Sequence, residues 1–174
     1  MSAAAPLSTP RASLGAAIVV TWLVTAAWDF LCATALSVFG YGSTFTRLWQ
    51  GVAATAIGPR ALQMGHSGVA AGLMIHVLVA LAWSAAFVIL LSNSATLRRM
   101  VARPSTAFAV ALLYGPFIWL VMSLVVIRLA TGRPTGFGFR WWVQVVAHVP
   151  FVALPLVFTA RRALRGESLG GPCG

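Results

Sequence analysis

The sequence predicts an all-α integral membrane protein, a four-helix bundle with an additional interfacial amphipathic helix after the first span. Three observations carry that prediction. Of 174 residues, 60% are apolar and only 8% are charged, whereas soluble domains carry about a quarter charged residues. Four apolar segments meet or approach the roughly 20 residues that a helix needs to cross the hydrocarbon core. Between the first two lies a stretch whose apolar residues recur with helical periodicity.

The first span is read at 14–39. Arg11 before it and Ala33-Thr34-Ala35 within it would suit a signal peptide, but a signal core is only about 7–15 residues long, so the segment is expected to be retained. In the connection that follows, Phe45, Leu48, Trp49, Val52, Ala53 and Ala56 fall on one helical face, opposite Thr46, Arg47, Gln50 and Thr55. Ser43 or Thr44 can cap its start, and Gly58-Pro59 ends it. This helix is expected to lie on the membrane surface as an anchor, with a gate or lid as the alternative.

The second span is read at 67–91, the third at 106–130 and the fourth at 141–160. Gly68, Gly72, His76 and Ala80 recur at i+4 on the second, and Ala107, Ala111 and Gly115 on the third. Such small-residue faces let helix backbones approach closely in lipid. Gly115-Pro116 is expected to kink the third span, and Pro150 with Pro155 to bend the fourth. Residues 1–13 read as a cytoplasmic N-terminal segment, 14–165 as the bundle, and 166–174 as a flexible tail.

The net charge of +10 comes from twelve arginines and no lysine, against the acids Asp29 and Glu167. The arginines cluster between apolar runs, which marks membrane flanks and speaks against a nucleic-acid partner. With the N-terminus inside, seven arginines lie inside (Arg11, Arg98, Arg99, Arg103, Arg161, Arg162, Arg165) and five outside. Trp141 and Trp142, with Phe137 and Phe139, form an aromatic belt at the outer surface. The expectation is a bacterial inner membrane with both termini cytoplasmic. Cys32 and Cys173 have neither disulfide nor metal spacing.

Ionisable residues inside spans cost about 2.5–3.5 kcal/mol each at a helix centre. Asp29, His76 and His148 are of this kind. At 1.5 Å per residue they lie about 15, 13 and 10 Å from the outer ends of their spans. Ser123 joins that layer, and Gln144 sits one turn from His148 on the same face. The layer reads as a structural polar clasp, a proton or ion relay, a pocket for a small molecule or headgroup, or a haem site with His76 and His148 as axial ligands. His66 reads as solvated, and no catalytic motif is present. The function classes that follow are, in order, a non-catalytic accessory or scaffold subunit, a small transporter or proton/ion relay, and a bis-His haem b electron carrier. The partners expected are the lipid bilayer and other membrane proteins or further copies of the chain, met through the small-residue faces.

The runs RLWQGVAATAIG, GVAAGLMIHVLVALAW, LLYGPFIWLVMSLVV and HVPFVALPLVFTARR together resemble a family of small bacterial four-span membrane proteins with no established activity. The resemblance implies an acid in the first span, a histidine early in the second and a histidine in the fourth. Asp29, His76 and His148 hold those positions; Ser123 stands where the pattern has Asn, and Arg128 where it has Pro.

Overall fold

The computed structural model describes residues 13–165, so the N-terminal segment before Ser13 and the tail at 166–174 lie outside the described residues. Helix α1 (Leu14–Ala35) continues through a π turn (Leu36–Gly40). Helix α2 (Phe45–Ile57) and a 3₁₀ turn (Pro59–Gln63) lead to the long α3 (Gly65–Asn93) and the short α4 (Ala95–Ala102). Next come α5 (Pro104–Val121), a π turn (Met122–Val126) and α6 (Ile127–Thr131). The chain closes with α7 (Phe139–His148), a π turn (Val149–Ala153) and α8 (Leu154–Arg165).

Four helical stretches, Leu14–Gly40, Gly65–Asn93, Pro104–Thr131 and Phe139–Arg165, are long and apolar enough to cross a membrane, as a multi-pass membrane protein requires. The shortest have 27 residues, or about 40 Å at 1.5 Å per residue, against a hydrocarbon core of about 30 Å. The excess lets the helices tilt or project into the headgroups.

Local chemistry sets the boundaries. Ser13 Oγ, Thr44 Oγ1 and Ser94 Oγ accept bonds from the N–H groups of Ala16, Arg47 and Leu97, so each caps a helix start. Gly58 ends α2 at φ 81°, and Gly132 ends α6 at φ 66°, conformations that disfavour side chains with a Cβ.

Helix α1 lies between α3 and α8, and α5 packs on α7, the π turn after it and α8. Spans α3 and α5 meet through rings: Tyr114 lies 4.9 Å from Phe87 and 6.1 Å from Trp83, and its hydroxyl donates to the Trp83 carbonyl (3.3 Å). The half of the bundle nearer α4 is filled by an apolar cluster that includes Ala17, Phe87, Leu91, Ala111, Leu156 and Val157.

Helix α2 departs from the picture of a helix held by lipid alone. A Cβ on Gly72 would lie 1.9 Å from the Trp49 carbonyl oxygen, and one on Gly68 would lie 2.5 Å from the Ala61 carbonyl oxygen. The helix is therefore clamped backbone to backbone on α3. Gln50, expected on the polar face, is only 6% exposed and donates from Nε2 to the Gly65 carbonyl (3.1 Å). Its amide satisfies a backbone acceptor, which is why a polar residue is buried there.

The small-residue faces are likewise covered by the chain itself. Gly68 and Gly72 receive the 3₁₀ turn and α2, and Gly115 receives the His148–Val149 peptide, whose atoms a Cβ would meet at 2.8–2.9 Å. Ala107 and Ala111 are fully buried in the apolar cluster. Helix α5 runs through Pro116, and the change of helical ladder comes later, at Met122–Val126. In the fourth span Pro150, which has no N–H, sits in the π turn.

Candidate functional site

Helix α1 places Asp29 between α3 and the fourth span. On the α3 side, His76 Nδ1 lies 3.6 Å from Asp29 Oδ2, ion-pair distance but longer than a hydrogen bond. His76 is positioned by its neighbours: it follows Gly72 by one turn, so it faces the same contact. The Trp49 ring meets its imidazole edge-on at 5.1 Å and stacks on Phe30 at 5.2 Å. The other ring nitrogen, Nε2, lies 3.3 Å from the carbonyl oxygen of Ala26. A carbonyl only accepts, so Nε2 carries hydrogen.

On the other flank of Asp29 is a cavity of about 20 Å³ walled by Asp29, Cys32, Gln144 and His148 among others, large enough for one water molecule. His148 Nδ1 donates to the Gln144 carbonyl at 2.7 Å, and its ring rests 5.0 Å from that of Trp119. The π turn beginning at Val149 and the bare Gly115 surface fix the His148 backbone. π turns inside helices recur at functional sites.

Of the four other residues that the sequence singles out, three thus gather about Asp29: His76 directly, Gln144 and His148 across the cavity. Ser123 does not belong with them. It is buried beneath the 132–138 connection, where its carbonyl accepts from Thr135 Oγ1 (2.8 Å), and it lines a different pocket. Counting residues from a helix end gives depth but not direction around the axis, and direction separates Ser123 from the group. Two participants were not singled out. Cys32, three residues after Asp29, shares its helix face, a spacing that could have identified it; Trp49 arrives through tertiary packing that no local pattern reports.

A haem held by His76 and His148 does not fit this arrangement. Both ring nitrogens of His76 already face protein groups, Asp29 and the Ala26 carbonyl, and the space beside His148 has the volume of one water rather than of a macrocycle.

Chemically, the arrangement can hold a proton. With hydrogen on Nε2, a neutral His76 presents a bare Nδ1 to a carboxylate oxygen, two lone pairs opposed. One proton, on Asp29 or on Nδ1, relieves that repulsion, and the adjoining cavity offers water a place beside the same carboxyl. No family model, curated protein or solved structure matches this chain.

Proposed function

We propose that the protein handles protons within the membrane, as a small transporter or proton relay working through Asp29, His76, Gln144 and His148. The observation that carries the reading is the Asp29–His76 pair at 3.6 Å, with Nε2 directed at a carbonyl so that the pair is stable when it shares one proton. Asp and His chains are the usual material of such relays. Protons would reach the site from the end of the bundle that carries α2, because the apolar cluster fills the half nearer α4. Passage across that half requires the helices to part.

The accessory-subunit reading rests on the absence of a catalytic motif and has the chain meet other membrane proteins through its small-residue faces. Those faces are covered by α2, the 3₁₀ turn, the fourth span and the apolar cluster, so it ranks second. We also infer kinship with the small bacterial four-span proteins named above, an inner-membrane location and cytoplasmic termini, on the sequence runs and the arginine distribution.

The test is proton flux into liposomes holding the purified protein, a pH gradient and an entrapped pH-sensitive dye. Wild type should collapse the gradient faster than protein-free vesicles, and Asp29→Asn, eluting as a single species in detergent, should not. Equal rates for wild type and Asp29→Asn would overturn the reading.

A further inference from the structure

Helices α1 and α7 part toward the end of the bundle that carries α2. Helix α1 packs on the π turn at Val149–Ala153 far more than on α7 itself, so the two leave a seam beyond the cavity that Asp29 and His148 wall. A contact bridges that seam: the Arg140 guanidinium carbon stands 4.5 Å from the centre of the Tyr41 ring. Its register is that of the cavity wall. Arg140 precedes Gln144 by one turn of α7, the Tyr41 N–H bonds the Leu36 carbonyl (3.0 Å), and Gln144 and Leu36 both wall the cavity. The contact therefore lies about one turn beyond the cavity, across the way from the bundle end to Asp29.

The two partners are held unequally. Tyr41 is fixed by the backbone: besides its own bond to Leu36, the Ser43 N–H returns to the Ser37 carbonyl (3.0 Å) through Gly42 at φ 62°, a left-handed turn that suits glycine. Arg140 is exposed and lies in the first turn of α7, which begins at Phe139, where the helix dipole disfavours a cation. Among the described residues Asp29 is the sole acid, so no carboxylate at that end of α7 anchors the guanidinium. The Tyr41 ring face holds it instead, and such a contact at an exposed position is weak. A fixed ring and a long, loosely held arm make a latch that opens readily.

We propose that the Arg140–Tyr41 contact is a gate on the passage between the α2 end of the bundle and Asp29, closed in this structure. The inference rests on the proton-handling reading for what passes; the gate itself is read without it.

The test uses the native Cys32, which walls the cavity behind the latch, as the reporter. The full chain carries Cys173→Ser and is reconstituted in liposomes. Silver ion, which binds thiols tightly, is close to water in size and is excluded from lipid, is added in chloride-free buffer. Thiols that remain are counted with a fluorescent maleimide after denaturation. Tyr41→Ala should make Cys32 react about two- to fivefold faster than wild type, the shift in open population that loss of an exposed cation–π contact allows. Arg140→Gln should do the same, and Tyr41→Phe, which keeps the ring, should react at the wild-type rate. Equal rates in wild type, Tyr41→Ala and Arg140→Gln would overturn the gate, as would Tyr41→Phe reacting as fast as Tyr41→Ala. Arg140 is exposed, so Arg140→Gln leaves the fold intact and keeps the test decisive should Tyr41→Ala not elute as a single species. Faster silver reaction together with faster collapse of a pH gradient would support both readings. Faster silver reaction with proton flux no greater than that of protein-free vesicles would support the gate and overturn proton handling.

Discussion

Asp29 and His76 show how much one residue can ask of its neighbours in lipid. Each would cost a few kcal/mol if left alone in hydrocarbon, and 3.6 Å brings them into ion-pair reach. The Asp29 side chain keeps 30% exposure, and side-chain couplings in membrane bundles average about 0.6 kcal/mol. The coupling between them should therefore be about 0.5–1.5 kcal/mol, in the lower part of the range for contacting residues. Thermal unfolding of Asp29→Ala, His76→Ala and the double variant in detergent measures it, and the double variant should lose less than the sum of the single losses. Strict additivity would mean that the two groups do not interact. The sequence made this pair legible because rare ionisable residues at matched depth must find partners. It did not make Ser123's separation legible, because azimuth depends on packing and on a π turn that hydropathy does not register.

Helix α2 is the element on which the site depends, since it carries Trp49 onto His76. Its clamp on α3 is tightest at Gly72, where a methyl group would lie 1.9 Å from a carbonyl oxygen. Gly72→Ala must push the two backbones apart, at about 1–3 kcal/mol for an overpacked contact. Gly51→Ala, with nothing within 4 Å of the added Cβ, should be neutral or slightly stabilising because alanine favours helix. Chemical unfolding in mixed micelles should separate the two; equal stability would mean that α2 is not held against α3. Periodicity and caps made α2 legible, and i+4 spacing made the glycine face legible. The partner of that face was not, because small residues advertise close approach without naming what approaches. Helix α4 was not legible for another reason: an eight-residue stretch with the adjacent, exposed Arg98 and Arg99 gives too few turns for a pattern. Its C-terminal carbonyl, that of Ala102, is satisfied from afar by Arg161 and Arg165 at 3.1 and 3.0 Å.

For the molecule as a whole, an even number of spans puts 13 and 165 on one side of the membrane, together with α4, and the α2 connection on the other. In a chain carrying Cys32→Ser and Cys173→Ser, an impermeant thiol reagent should reach Thr96→Cys and Gln63→Cys from opposite sides. On the proposed orientation, Thr96→Cys should be the one reached from the inner side. Labelling of both from the same side would contradict four spans. The architecture was legible at this scale because hydropathy and length suffice for it; the π turns and the two separate pockets required the packed structure. One proton shared by Asp29 and His76 is the centre of the proposed function, which makes the ring nitrogens of His76 the most direct place to look. Nitrogen NMR of histidine-labelled protein in bilayers, assigned with His66→Gln and His148→Gln, reads each nitrogen separately. Hydrogen should stay on Nε2 of His76 throughout, and its Nδ1 signal should change on Asp29→Asn; a His76 ring with a bare Nε2 and hydrogen only on Nδ1 would contradict the shared proton.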